Sequence, residues 1–155
     1  MASDLDRIKT FLHNLPIDTT LYYTEQCYSN LIRKILLKND FIVNTEVHCC
    51  YRTPCGISFG FGKIDILVET ENEVFIIELK ANVKSVDRSI AQVKRYMLHF
   101  NSNKTKHGLL AMYNCGYKPI ITIEVDAPTV KNIKNKILVS ARCARCLGGG
   151  GHSSL

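Results

Sequence analysis

The stretch from Gly62 to Lys80, GKIDILVETENEVFIIELK, restricts most sharply what this chain can become. Two apolar runs, Lys63 to Val68 and Val74 to Lys80, flank the polar connection Glu69-Thr70-Glu71-Asn72-Glu73, the pattern of a hairpin of two buried strands. Both runs carry charge where a buried strand should not. Side chains alternate along a strand, so Ile76, Glu78 and Lys80 share one face of the second run while Phe75, Ile77 and Leu79 share the other. Asp65 interrupts the first run between Ile64 and Ile66, and pairing of the strands brings its carboxylate toward that of Glu78. Two carboxylates in low dielectric repel unless a cation lies between them. A divalent ion held by oxygen ligands, Mg²⁺ or Mn²⁺, is the usual resolution. The plainer reading, a solvated hairpin with mutual salt bridges, suits an isolated Glu-x-Lys but not one embedded in VFIIELK.

With 155 residues and 46% hydrophobic side chains, the chain is long and apolar enough for one compact domain with a core. We expect that domain over residues 1 to 140 and a low-complexity tail over 141 to 155. Charge is unevenly distributed. Residues 1 to 79 hold 7 basic and 11 acidic side chains, net −4, whereas residues 80 to 155 hold 13 and 3, net +10. Such an asymmetry suits a polyanion partner, with a solvated basic surface as the alternative. No run is long or apolar enough to span a bilayer, and MASDLDRIKTFLHNLP lacks the apolar centre of a secretory signal, so an intracellular protein is expected. The seven cysteines form no regular disulfide framework and read as reduced thiols.

From the N-terminus, Ser3 to Asn14 has weak helical spacing and reads as a short helix or loosely packed arm. A longer amphipathic helix is expected after Asp18, Thr19 and Thr20, running to about Lys38 with Leu21, Tyr28, Ile32 and Ile35 as its apolar stripe. Glu25 fills the vacant place in that stripe. Phe41 to Tyr51 alternates as a strand, Arg52 to Gly56 turns the chain, and Gly60 and Gly62 predict a bulge or a close approach of backbone. Beyond Lys80, Ser85 can cap a helix with Val86, Ile90, Val93, Met97 and Phe100 inward and Arg88, Gln92, Arg95, Tyr96 and His99 on a polar, basic stripe. GLLAMY (Gly108 to Tyr113) and Ile120 to Val125 read as two more strands. Pro128 opens a helix with Val130, Ile133 and Ile137 inward and Lys131, Lys134 and Lys136 outward. Cys143-x-x-Cys146 with His152 offers at most three zinc ligands, one short of a closed structural site, so the tail is expected to be disordered, with a metal knuckle as the alternative.

Asp65, twelve residues, then Glu78-x-Lys80, preceded by Glu25-x-x-Tyr28 and followed by Gln92 and Tyr96, resembles the PD-(D/E)XK nuclease superfamily, in particular its GxxExxY branch. The resemblance covers roughly Leu21 to Asn114. Tyr22 stands where that branch has its first glycine, and Lys63 where an arginine is common. The resemblance implies a restriction-endonuclease-like αβββαβ core, a central mixed sheet flanked by helices. It also implies that Asp65, Glu78, the Leu79 carbonyl and Glu25, directly or through water, hold one or two Mg²⁺ or Mn²⁺ ions. Lys80 would position or help deprotonate a water, and Gln92 would orient water or substrate. The implied reaction is hydrolysis of a nucleic-acid phosphodiester, DNA rather than RNA.

Lys63, Lys84, Arg88, Arg95, Tyr96, Lys104 and Lys106 are the expected nucleic-acid contacts, because seven basic residues and one acid lie between Lys80 and Lys106. Two other classes compete: a nucleic-acid-binding module that keeps the fold without catalysis, and a non-enzymatic interaction protein with no nucleic-acid affinity at low salt. A homodimer is compatible with all three.

Overall fold

The computed structural model describes residues 1–81, 85–114 and 117–128, without the side chains of 114 and 117–119. Lys84, the helix expected after Pro128 and the Cys143-x-x-Cys146 tail lie outside the described residues.

The first helix, α1 (Asp4–His13), starts at Ser3, whose side chain accepts a hydrogen bond from the Asp6 amide. It is not a loose arm, since Ile8 and Leu12 are fully buried. The next helix, α2 (Glu25–Lys38), begins later than the sequence predicts. Thr24 caps it by accepting from the Cys27 amide, while Asp18 Oδ1 is taken up by the Thr20 amide and hydroxyl in a local turn. Leu21 therefore lies before the helix and is exposed rather than part of its stripe. The buried residues of α2 are Tyr28, Ser29, Ile32 and Leu36.

Five strands follow: β1 (Ile42–Arg52), β2 (Ser58–Glu69), β3 (Glu73–Ala81), β4 (Thr105–Asn114) and β5 (Tyr117–Val125), with α3 (Val86–His99) crossing between β3 and β4. They form one sheet in the order β1-β2-β3-β4-β5, in which only the β3–β4 pair is parallel. The fold is α/β, a five-stranded mixed sheet flanked by helices, and α2-β1-β2-β3-α3-β4 follows the expected αβββαβ order.

One face of the sheet, with Phe75, Ile77 and Leu79 of β3, packs against α1 and α2; the other, with Val74 and Ile76, packs against α3. Central β3 is thus apolar on both faces, as a strand in the middle of a covered sheet must be.

The two long strands β1 and β2 exchange faces partway along. Phe41 and Val43 belong to the α1–α2 core, whereas Val47, Cys49 and Tyr51, in step with them by alternation, pack on the α3 side. The same switch occurs in β2, between Ile66 and Val68 on one side and Ile64 on the other. Pairing of Thr45 with Ile66 and Val47 with Ile64 sets Glu46 opposite Asp65, and Glu46 has a left-handed φ of 52°. A glutamate rarely adopts that conformation, so this position is a strained twist in the sheet. It separates an arm of β1 and β2, turned by Gly56 at φ 83°, from the rest of the sheet.

Candidate active site

The twist opens a gap next to Asp65. Pairing of β2 with β3 runs from Glu69–Val74 to Ile66–Ile77 and stops there. At the next position the Leu79 amide donates to Asp65 Oδ2 at 2.7 Å, so a carboxylate replaces the missing backbone partner. The N–H and C=O of a strand residue leave on the same side, which turns the Leu79 carbonyl toward β2 as well. Sequence alternation places Glu78 beside this gap but gives no hint of the Leu79 amide contact, which exists only because the strands diverge.

Glu78 is 2% exposed, a carboxylate in the core. Lys80 Nζ lies 3.1 Å from its Oε1; no donor reaches Oε2 among the described residues, and a proton kept on Glu78 would be shared with the neighbouring Asp65. Burial, and then the Asp65 charge, push the Glu78 carboxyl up to about 8. Burial also raises Asp65, against the opposing effects of the Leu79 amide, a hydrogen bond with Glu78 and the Lys80 charge. Around Lys80, burial works against the charged form, but the hydrogen bond to Glu78 and the charges of Glu78, Asp65 and Glu25 outweigh it and the pKa rises. Lys80 is therefore firmly protonated, suited to balancing negative charge and orienting a water rather than to accepting its proton.

Glu25 opens α2 and is exposed, not buried in the helix stripe. Its pKa is raised, first by partial burial and then by Asp65, with Lys80 opposing. It thus stands at the border of the charged cluster, in position for contact through water. Were the site to cleave with a bound metal, as the sequence leads us to expect, Glu25→Gln should reduce that cleavage about 10-fold, the usual scale for an outer-sphere partner, whereas the exposed control Glu71→Gln should leave it unchanged. Equal rates for the two variants, measured at saturating metal, would remove Glu25 from the site. Tyr28, the other motif residue, is fully buried with its ring 4.1 Å from that of Tyr113, so it anchors α2 to β4 rather than reaching substrate.

Gln92 and Tyr96 form a brace behind the gap. Gln92 Nε2 donates to the Tyr96 hydroxyl at 2.8 Å, and that hydroxyl donates to the Lys63 carbonyl at 2.9 Å, tying α3 to β2 two residues before Asp65. Burial raises the Tyr96 phenol, and the nearby Glu78 charge adds to this, so it stays a donor. At 1% exposure Tyr96 is not a nucleic-acid contact, contrary to expectation, because its ring fills the space over Gly62. The close approach suggested by Gly60 and Gly62 is to these rings: a Cβ on Gly62 would collide with the Tyr51 hydroxyl and come within 2.7 Å of Tyr96 Cε1. Gly62→Ala should cost about 1–3 kcal/mol by overpacking and break the link from Tyr96 to Lys63. Thermal melts should show the loss, and an unchanged melting temperature would mean that the rings have room to retreat.

The expected basic surface divides. Lys63, Arg88 and Arg95 are exposed, with the Arg95 guanidinium 5.5 Å from the Tyr51 ring centre. Lys104 is instead committed to the hairpin turn, donating to the Thr70 carbonyl at 2.8 Å and pairing with Glu69, about 13 Å along β2 from Asp65. Lys106 donates to the Met97 carbonyl at 3.1 Å near the end of α3, and burial lowers its pKa. Both lysines satisfy backbone carbonyls and are corrected from nucleic-acid contacts to structural ties.

No group of three or more His, Cys, Asp and Glu side chains converges on a metal position among the described residues. The donors at the gap are nevertheless of one kind: Asp65, the buried Glu78 and the Leu79 carbonyl. Hard oxygen donors, with only one ammonium beside two carboxyl groups, fit a Mg²⁺ or Mn²⁺ ion that keeps several waters.

No protein-family model matches the chain, and no curated protein matches it. Among solved structures, that of SSO0001 is similar, with 21% sequence identity and a TM-score of 0.46 over 74% of this chain. The match spans 63% of the SSO0001 chain, less than two thirds of its length.

Proposed function

We propose that the chain is a metal-dependent nuclease that hydrolyses phosphodiester bonds in DNA, with Asp65, Glu78 and Lys80 at its reactive centre. The observation that carries this reading is the pair of carboxyl groups, Glu78 buried and Asp65 half-buried, at the point where β2 and β3 diverge, with Lys80 alongside. Holding Glu78 in the core costs the metal-free protein stability, and perturbed carboxyls of this kind concentrate at reactive sites.

Asp65, Glu78 and the Leu79 carbonyl would hold Mg²⁺ or Mn²⁺, with Glu25 reaching it through water. Such an ion, when bound, polarises a phosphoryl oxygen and makes bound water a nucleophile near neutral pH. Glu78 must lose its proton to serve as a ligand, and Lys80 favours that loss by its charge 3.1 Å away. The same ammonium orients water by donation and offsets charge growing on the phosphate oxygens. Asp65 is held through its Oδ2 by the Leu79 amide, which limits how far the carboxylate must rearrange to bind. Gln92 and Tyr96 keep Lys63 and the Asp65 segment in place rather than touching the reacting atoms. Lys63, Arg88 and Arg95 supply cationic surface for the sugar-phosphate chain.

Labelled linear, closed circular and branched DNA, and RNA of matching sequence, incubated with Mg²⁺ or with chelator, test the reading. Cleavage of DNA that chelator stops is expected; binding without cleavage under every metal condition would favour a module that holds nucleic acid without cutting it.

A further inference from the structure

The arm formed by β1 and β2 beyond the Glu46–Asp65 twist has a surface that the hydrolytic centre does not use. Along β2, Phe59, Phe61 and Lys63 are exposed while Gly60, Gly62 and Ile64 turn the other way. Phe59 is 57% and Phe61 65% exposed, high values for large apolar rings. Each is held in place by a neighbour. The His48 ring centre lies 4.8 Å from that of Phe61, whereas Phe59, at the register irregularity opposite Tyr51 and Arg52, packs toward the α3 side against Tyr51 and edge-on against His99. Under these rings Gly60 and Gly62 leave room for Tyr51 and Tyr96 to pack directly on the backbone.

Charge on the arm has one sign. From Val47 to Ile64 there is no Asp or Glu, whereas Arg52 and Lys63 lie within this span. Arg95 adds a third cation over the Tyr51 ring. Cations interleaved with exposed, pre-oriented aromatic rings suit a polyanion whose chain carries flat apolar faces. The stripe lies near the reactive centre, across the twist, since Phe61 precedes Asp65 by four strand residues, about 13 Å. At about 3.4 Å per stacked base, that is roughly four nucleotides.

We propose that Phe59 and Phe61, with His48 and Lys63, form a stacking platform for unpaired nucleobases. It directs the centre at Asp65 and Glu78 to nucleic acid that has a single-stranded segment beside the scissile bond. The inference rests on the hydrolytic reading only for its consequence in cleavage; base stacking itself needs neither metal nor catalysis. In a fully paired duplex the base faces are occupied by their neighbours, so the rings have nothing to stack on and only the phosphate contacts remain.

The test is binding in chelator, where nothing is cut, of a fluorescent 20-nucleotide single strand and of a blunt duplex of the same sequence. Wild type should bind the single strand more tightly than the duplex at equal salt. Phe59→Ala with Phe61→Ala should weaken the single strand about 30-fold and the duplex less than about 3-fold, because each lost ring removes one stacking contact while the cations stay. Phe61→Trp should restore most of the loss over Ala at that position. Unchanged single-strand affinity in the double variant, or equal losses on both substrates, overturns the platform. So does a wild-type dimer that the double variant converts to monomers in sedimentation, since the rings would then be covered by a second copy. Wild type that binds single strands through the rings yet cuts no substrate with Mg²⁺ supports the platform and overturns the hydrolytic reading alone. No affinity for either substrate at low salt overturns both.

Discussion

Glu78→Gln should abolish Mg²⁺-dependent cleavage, by on the order of 10³-fold or more, and at the same time make the metal-free protein more stable at neutral to alkaline pH. The two effects have one cause. Burial and Asp65 hold the Glu78 carboxyl at about 8 against an ordinary value of 4.5. The folded protein therefore keeps a proton there that the unfolded chain loses. A group whose folded pKa is raised stabilises the fold below the unfolded value, and that contribution is lost as pH climbs through the folded one. Metal-free wild type should lose stability steadily between about pH 4.5 and 8, and Gln, which carries no such proton, should flatten that slope. At pH 8 the variant's melting temperature should exceed that of wild type by about 3–6 °C. A variant that is inactive and also less stable at every pH would assign Glu78 to structure rather than to a ligand site.

Removing charge from Arg88 and Arg95 together should weaken DNA binding on every sequence alike and flatten the salt dependence. Each phosphate contact on a duplex contributes about −0.9 to the slope of log affinity against log salt, so losing two should change it by about 1.8. Both side chains project from α3 on its exposed side. Lys104→Met with Lys106→Met is the matched control, with the same change in net charge. Those two ammonium groups are occupied with the Thr70 and Met97 carbonyls, so the control should leave the slope nearly unchanged and lower the melting temperature instead. The opposite outcome would put the nucleic acid at the hairpin-turn end of the sheet. Measurements in chelator keep cleavage out of the comparison.

Much of the fold was legible because its signals are local. Alternation in VFIIELK assigned each side chain of β3 to its face, and the stripe from Val86 to Phe100 assigned α3, since both patterns report burial directly. The start of α2 was misjudged because Asp18, Thr19, Thr20 and Thr24 are all competent caps. Which of them serves depends on Asp18 closing its own turn. The twist at Glu46 had no signature, because the left-handed conformation falls on a glutamate instead of a glycine.

At the site, the carboxylates and Lys80 were readable as charges in apolar strands. The roles of Tyr96, Lys104 and Lys106 were not, since polar side chains on a helix or strand look alike in sequence whether they face solvent or find a distant carbonyl. Lys63 satisfies Tyr96 through its backbone, a partnership thirty-three residues apart that no spacing rule anticipates.

Binding of Mn²⁺, followed by the decrease of its free-ion resonance signal, tests the central claim most directly, because it depends neither on substrate nor on turnover. Wild type should take up one or two ions saturably, Asp65→Asn and Glu78→Gln should each lose most of that uptake while melting cooperatively, and Glu71→Gln should bind as wild type does. Equal uptake by all four proteins would contradict the claim that the paired carboxyl groups between β2 and β3 form a cation site.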